Sequence, residues 1–193
     1  MRIVGGRLRG RSLQPPASRA IRPTSDRLRE SIFDILAHRF DGVVEGARVV
    51  DVFAGSGALG LEALSRGAQS ALFVDNSPQA QKLLHANIAA LGLRDVVRAL
   101  RADATRLGKA PPGPPFTLAF LDPPYDQGLA GPALAGLSEG GWLASHALVV
   151  VEESAKTTLC PPIGLNVVDE RAYGDTKLMF LTNASADLPR AGA

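Results

Sequence analysis

The sequence predicts an α/β protein with a mostly parallel, doubly wound sheet. Short apolar runs rich in valine alternate with helical patterns from residue 47 onward, and a glycine-rich loop separates the first run from its helix. Because strands that alternate with helices are joined by right-handed crossovers, we expect them to lie parallel. The last two runs are joined by too few residues for a crossover helix, so we expect them to form an antiparallel hairpin.

The composition is that of an ordinary globular protein. The chain has 193 residues, of which 46% are hydrophobic and 21% are charged, which is enough for one domain with a sizeable core. No apolar run approaches the roughly 18 residues that span a bilayer, and the first residues lack the apolar segment of a secretory signal. The lone Cys160 excludes an internal disulfide framework, so we expect a cytoplasmic protein. We divide the chain into a basic extension (1–24), an α/β domain (25–182) and a flexible tail (183–193).

The small net charge of +2 conceals an uneven distribution along the chain. Residues 1–40 hold nine arginines against three acids, a local net charge of +6, whereas the remaining residues carry −4. Arginine is suited to bidentate contacts with phosphate, so the segment predicts a polyanionic partner. A solvated, arginine-rich segment without a partner is the alternative interpretation. The candidate contacts are Arg7, Arg9, Arg11, Arg22, Arg27 and Arg29.

The N-terminal half opens with a predicted small basic hairpin, formed by two short strands within residues 2–13. Ser25 or Asp26 can cap the next helix, because a side-chain oxygen at that position accepts a hydrogen bond from a first-turn N–H. The pattern then predicts a strand at 47–52, a helix at 58–65, a strand at 71–74, and a helix that begins at Ser77-Pro78 and ends at Gly92.

The C-terminal half continues the same alternation. The pattern predicts strands at 96–100 and 117–121, a helix near 129–138, and strands at 148–151, near 165–169 and at 178–181. A proline cluster at 111–115 is typical of a stiff surface connection. The three histidines and one cysteine are scattered without metal-ligand spacing, so we expect no metal site.

The loop after the first predicted strand carries the first chemical signal. Residues 51–60, Asp-Val-Phe-Ala-Gly-Ser-Gly-Ala-Leu-Gly, contain G-x-G-x-x-G between a strand and a helix. Such a loop lets a ligand approach the backbone at a helix N-terminus, although glycine turns also serve as plain connections. The position between strand and helix favours a nucleotide-like ligand.

Four aspartates mark the predicted carboxyl ends of successive strands. Asp51, Asp75, Asp103 and Asp122 are separated by 24, 28 and 19 residues, so they are expected to meet at one sheet edge. Asp75 lies about 20 residues beyond the first loop glycine, where a carboxylate accepts hydrogen bonds from ribose hydroxyls. Asp51 would repel the diphosphate of a nicotinamide dinucleotide but suits the positive charges of S-adenosylmethionine. The candidate cofactor residues are Asp51, Phe53, Gly55, Gly57, Asp75, Asn76, Asp103 and Ala104, of which the last two would read adenine.

The second chemical signal is Asp122-Pro123-Pro124-Tyr125, which follows an apolar strand. The exocyclic amine of a base is a poor nucleophile, because its lone pair is conjugated with the ring. The Asp122 carboxylate and the Pro123 carbonyl can accept its two hydrogens and aim its lone pair at a methyl donor. Tyr125 can stack on the base. A proline turn with a surface tyrosine is the alternative.

These motifs resemble those of known enzymes. The glycine loop together with Asp-Pro-Pro-Tyr is similar to class I S-adenosylmethionine-dependent methyltransferases that act on exocyclic amines. Residues 22–33, Arg-Pro-Thr-Ser-Asp-Arg-Leu-Arg-Glu-Ser-Ile-Phe, resemble the RsmD-type 16S ribosomal RNA guanine-N2 methyltransferases. The resemblance implies a Rossmann-like, seven-stranded sheet with a reversed last strand and Asp122 to Tyr125 as the catalytic loop. It also implies S-adenosylmethionine as cofactor and, as partner, ribosomal RNA or an assembling small ribosomal subunit.

Three alternatives stay open. The tetrapeptide is shared with DNA adenine methyltransferases, so an adenine-N6 enzyme is the first. An NAD-dependent oxidoreductase would use the same glycine loop and Asp75. A non-catalytic RNA-binding module could keep the fold without the reaction. For the methyltransferase we expect a monomer.

Overall fold

The computed structural model describes residues 1–15 and 25–183, and its centre is a seven-stranded sheet. Arg22 and the predicted tail beyond residue 183 lie outside these ranges. The strands are β1 (Arg48–Val52), β2 (Ser70–Val74), β3 (Val97–Leu100), β4 (Phe116–Leu121), β5 (Leu143–Ser154), β6 (Leu165–Tyr173) and β7 (Thr176–Asn183).

The strand order is β3-β2-β1-β4-β5-β7-β6. Strands β1 to β5 run parallel to one another, whereas β7 runs antiparallel to both β5 and β6. This confirms the predicted mostly parallel sheet and its closing antiparallel hairpin. Because β1 lies between β2 and β4, the chain leaves β1 in one direction and later returns on its other side. Ligands of such sheets bind beyond the carboxyl ends of the strands at this switch point.

Within residues 1–15 and 25–183, four α-helices cover the sheet: α1 (Asp26–His38), α2 (Ala58–Ser65), α3 (Pro78–Leu91) and α4 (Ala130–Glu139). Their ends confirm the predicted caps. The Ser25 hydroxyl accepts a hydrogen bond from Leu28 N–H at the start of α1, and Ser77 caps α3 with Pro78 in its first turn. Gly92 ends α3 in the left-handed conformation, at φ 70°. None of the helices in the described ranges is long and apolar enough to cross a membrane.

The core has two halves, one on each face of the sheet. Val49 and Phe120 pack with apolar residues of α1, α2 and α3 on one face. Val50 and Leu121, their neighbours in sequence, pack with α4 and Trp142 on the other. Successive strand residues point to opposite faces, so a strand buried on both faces is apolar at every position.

The N-terminal segment is a short form of the predicted hairpin, in which the Ile3 N–H donates to the Arg11 carbonyl and the Leu13 N–H to the Met1 carbonyl. It contains one isolated antiparallel bridge, between Arg2 and Ser12, and a 3-10 turn at Gly6–Leu8. The N–H groups of Val4 and Gly5 donate to the Glu62 carboxylate on α2 instead of to a partner strand, which prevents a longer ladder. We call residues 1–15 the N-terminal arm.

Candidate active site

The sheet brings the four predicted aspartates to one edge. Asp51 is the second-last residue of β1, Asp75 follows β2 directly, Asp122 follows β4 directly, and Asp103 lies three residues beyond β3. The Asp122 N–H lies 3.4 Å from the Val52 carbonyl, which ties the start of the tetrapeptide to the start of the glycine loop. The two loops with chemical signals therefore adjoin each other at the β1–β4 switch point.

The glycine loop turns sharply between β1 and α2. Phe53, Gly55 and Gly57 all have positive φ, at 60°, 55° and 80°. A phenylalanine in this conformation is strained, and such strain is found where the surrounding structure requires a particular backbone path. The Gly55 N–H donates to Asp75 Oδ2 at 2.9 Å, which fixes the middle of the loop against the end of β2.

The three glycines of the motif have different surroundings. A Cβ on Gly57 would lie 2.5 Å from Leu84 Cδ1, and one on Gly60 would overlap the ring of Phe73. These two glycines therefore allow α2 to pack closely on its neighbours. A Cβ on Gly55 would meet nothing nearer than 3.9 Å, so its backbone borders open space and is the part of the loop that a ligand can approach.

Asp51 is buried, with 1% of its surface exposed, and its Oδ2 accepts a hydrogen bond of 2.9 Å from the Gly60 N–H. Burial raises the pKa of Asp51 to about 8, the Gly60 hydrogen bond opposes this rise, and the negative charge of Asp75 adds to it. The interpretation from sequence assumes that the Asp51 side chain is an ionised carboxylate. Burial therefore favours the neutral form of this carboxyl group in the free protein, and a cationic ligand beside it would favour the ionised form.

The carboxylate of Asp75 is held by backbone donors. Its Oδ1 accepts from Ser77 N–H at 2.8 Å, and its Oδ2 accepts from Gly55. A carboxylate offers about four lone-pair directions, so this one can accept further hydrogen bonds. The neighbouring Asn76 is exposed, and its carbonyl accepts from Arg101 at 3.3 Å.

Asp103 is exposed and caps a short 3-10 helix, Ala104–Arg106. Its Oδ1 accepts from the Thr105 hydroxyl at 2.7 Å and the Thr105 N–H at 2.9 Å, and these bonds lower the pKa of Asp103 below its ordinary value. The Ala104 side chain is buried. In residues 1–15 and 25–183, no group of three His, Cys, Asp or Glu side chains is arranged to hold a metal ion.

The tetrapeptide alternates between buried and exposed positions. Pro123 is buried, Pro124 is exposed and Tyr125 is half-buried. The Tyr125 hydroxyl donates to Glu152 Oε1 at 2.7 Å and lies 2.9 Å from the Thr176 hydroxyl. Burial raises the pKa of Tyr125 above its ordinary range, so the phenol stays protonated.

Sequence reasoning missed Glu152 and Thr176 as partners of the tetrapeptide. Glu152 is 5% exposed and follows the apolar run 148–151 of β5, and Thr176 begins β7. An acid that directly continues a buried strand at the carboxyl edge is the signal that could have found Glu152. The contact of Thr176 with Tyr125 could not be predicted from the sequence, because it depends on β7 pairing with β5.

The candidate RNA-binding arginines fall into two groups. The exposed group contains Arg7, Arg9, Arg11 and Arg27. The side chain of Arg11, a residue of the arm, packs against α3, and its Nη2 donates to the Ala90 carbonyl at 2.6 Å. Arg22 lies outside the described residues.

Arg29 is wrong as a predicted RNA contact, because its side chain is completely buried. It forms an ion pair with Asp26 at 2.7 Å, approaches Glu62 at 3.6 Å and donates to the Arg2 carbonyl. Arg29 precedes the buried Phe33 by four residues, and this helical spacing is the signal that places it on the inner face of α1.

Comparison with known proteins decides the family. The family model described as "conserved hypothetical protein 95" matches residues 1–182. The chain belongs to this family, the RsmD-type methyltransferases. Ribosomal RNA small subunit methyltransferase D of Escherichia coli K12 is 40% identical over 159 residues, 82% of this chain and 77% of that protein. The putative rRNA methyltransferase YlbH of Bacillus subtilis is 36% identical over 181 residues, 91% of this chain and 95% of that protein.

Solved structures extend the RsmD-type relationship to the fold. The putative methyltransferase yhhF of Escherichia coli superposes with a TM-score of 0.82 and 34% identity, covering 96% of this chain and 99% of that one. TrmN of Thermus thermophilus, at 24% identity and a TM-score of 0.66, shares the fold alone. The RsmD-type chain therefore has the class I methyltransferase fold, a Rossmann-like α/β sheet with antiparallel final strands.

Proposed function

We propose that this protein transfers a methyl group from S-adenosylmethionine to the exocyclic N2 amine of a guanine in small-subunit (16S) ribosomal RNA. The observation that carries the proposal is the position of Asp122 to Tyr125 directly after β4, beside the glycine loop that follows β1. Membership of the RsmD-type family and the names of its relatives support a ribosomal RNA substrate.

The donor set at the sheet edge fits S-adenosylmethionine. Gly55 offers backbone that a ligand can approach, and the Asp75 carboxylate can accept hydrogen bonds from ribose hydroxyls. Asp103 and the Ala104 N–H would hold the adenine. Asp51, buried below the loop, would favour the positive end of the cofactor. When bound, the cofactor supplies an electrophilic methyl group on a sulfonium, whose bonding pair returns to sulfur on transfer.

Asp122 and Pro123 make the amine reactive. The Asp122 carboxylate and the Pro123 carbonyl accept the two N2 hydrogens, which turns the nitrogen toward tetrahedral geometry and directs its lone pair at the methyl carbon. As the carbon–nitrogen bond forms, the nitrogen becomes acidic, and Asp122 takes the proton that leaves it. No side chain that is strongly basic beforehand is required.

Tyr125 holds the base, and its own hydroxyl is fixed. The ring can stack on the extruded guanine, while the hydroxyl bonds to Glu152 and Thr176 restrict the ring to one position. We therefore infer that the ring face contacts the base and that the hydroxyl serves to position the ring.

The exposed arginines supply affinity for RNA. Arg7, Arg9 and Arg11 lie on the arm and Arg27 on the first turn of α1, where each can contact phosphate. Because phosphate contacts release counterions, RNA affinity is expected to fall steeply with salt.

Nucleoside mass spectrometry tests the proposal. Unmodified small-subunit rRNA, as a transcript and as assembled subunits, is incubated with the protein and S-adenosylmethionine, and N2-methylguanine is the expected product. Asp122→Ala should lower turnover by about 10²-fold or more while S-adenosylhomocysteine still binds. Asp126→Asn, an exposed neighbouring carboxylate that keeps a residue tolerant of its φ of 60°, is the matched control.

Three outcomes would contradict the proposal at different points. N6-methyladenine in place of N2-methylguanine would overturn the base assignment. Full activity of Asp122→Ala would overturn the mechanism. Binding of NAD without binding of S-adenosylmethionine would overturn the reaction class.

A further inference from the structure

Asn87 of α3 lies between the glycine loop and the N-terminal arm and bonds to both. Its side chain is completely buried. The amide nitrogen donates to the Ser56 carbonyl, in the middle of the glycine loop, at 3.0 Å. The amide oxygen accepts from Gln14 N–H of the arm at 2.8 Å, and the nitrogen also lies 3.4 Å from the Gln14 carbonyl.

A second set of contacts fixes the other end of the arm to α2. The Glu62 carboxylate accepts from the N–H groups of Val4 at 2.8 Å and Gly5 at 2.7 Å. The Ser65 hydroxyl donates to the Gly5 carbonyl at 2.6 Å and accepts from Leu8 N–H at 2.9 Å. The arm therefore lies against α2, which begins where the glycine loop ends, and against α3, which bonds to the loop through Asn87.

Asn87 bonds to the loop and the arm at once, and the Ser56 hydroxyl of the loop also lies 3.9 Å from Met1 Sδ of the arm. A buried amide that loses a partner is left with an unsatisfied donor or acceptor, which is costly. The position of Ser56 and the position of Gln14 therefore depend on each other. A ligand that orders one of these two segments reduces the conformational entropy that the other segment loses when its own ligand binds.

We propose that Asn87 couples the N-terminal arm to the glycine loop, so that RNA on the arm and the cofactor in the loop each strengthen binding of the other. Asn87 is a positioning residue in this role, since it bonds to the backbone of both segments. The inference rests on the proposed function, because it takes RNA as the partner of the arm and S-adenosylmethionine as the ligand of the loop.

A binding titration tests the coupling. The dissociation constant of S-adenosylhomocysteine, which cannot react, is measured alone and with saturating unmodified 16S rRNA transcript. In the wild-type protein the RNA should tighten it by about fivefold or more, the lower end of typical couplings. Gln14→Pro removes the N–H group that donates to the Asn87 amide oxygen. The ratio should then fall to about 1, whereas Gln14→Ala keeps the N–H and should keep the wild-type ratio.

A second variant acts from the other side. Asn87→Asp retains an acceptor for Gln14 but loses the donor to Ser56, and it should also lower the ratio toward 1. A merely structural role would lower thermal stability and weaken both ligands without changing the ratio. A wild-type ratio of 1, or an unchanged ratio in both variants, overturns the coupling. If S-adenosylhomocysteine does not bind the wild type, or no methyl transfer occurs, it is the proposed function that fails.

Discussion

Asp51 should make the folded protein less stable as the pH rises through neutrality. Its pKa is raised from 3.8 to about 8, mainly by burial, so between these values the folded chain holds a proton that the unfolded chain has released. The stabilising contribution is therefore complete below about pH 4 and is lost progressively as the pH approaches 8.

The size of the effect follows from proton linkage. One proton of difference changes the free energy of unfolding by about 1.4 kcal/mol per pH unit. Between pH 5 and 7 the wild type should lose at most about 2.7 kcal/mol through this group. Asp51→Asn does not titrate and keeps an oxygen that can accept from the Gly60 N–H, so it should lack this loss.

Urea unfolding, followed by circular dichroism at pH 5, 6 and 7, measures both proteins. All other titrating groups are common to the two chains, so the difference between their free energies of unfolding isolates Asp51. The wild type should lose stability relative to Asp51→Asn at each step. A difference that stays constant within about 0.5 kcal/mol would refute the argument, because it would mean that the buried carboxyl group is already ionised at pH 5.

Three further predictions follow from the same structure. Gly60→Ala should lower the free energy of unfolding by about 1 to 3 kcal/mol, because its Cβ would overlap Phe73, and urea unfolding checks this. Arg29→Met should cost about 1 to 3 kcal/mol, because the buried Glu62 keeps Arg66 but loses Arg29 and the partly exposed Asp26 loses its nearest cation, whereas Arg9→Ala should leave stability within about 0.5 kcal/mol and weaken RNA binding in a filter assay. Affinity for S-adenosylmethionine should rise between pH 6 and 8, by up to about tenfold per unit, because the cationic ligand favours ionised Asp51; calorimetry of Asp51→Asn should show a flat profile.

Local rules were enough to predict most of the fold. In the structure α3 begins after Ser77 and ends before Gly92, as the capping rules predict. These ends are predictable because both caps form hydrogen bonds with backbone of the same helix. The carboxyl edge that gathers Asp75 and Asp122 follows from the alternation of strands and helices, because parallel strands end at a common edge.

Contacts between distant segments could not be predicted in this way. The spacing from Phe33 places Arg29 on the inner face of α1, but its ion pair with Glu62, 33 residues later, could not be predicted from the sequence. The arm similarly depends on Asn87, whose partner Gln14 is 73 residues away. The hydrogen bonds of the Tyr125 hydroxyl could not be predicted either, because Glu152 and Thr176 lie on strands β5 and β7, which pair only in the complete sheet.

The insertion of β7 between β5 and β6 also constrains how the chain is made. During synthesis β7 emerges after the other strands of the described part of the chain, yet it supplies the sheet partner of both β5 and β6. Until residues 176–183 have left the ribosome, β5 presents an unpaired apolar edge and β6 has no neighbour in the sheet. An unpaired edge of this kind is a template for aggregation. Nascent chains that stall within this hairpin should therefore depend on chaperones more than chains released a few residues later.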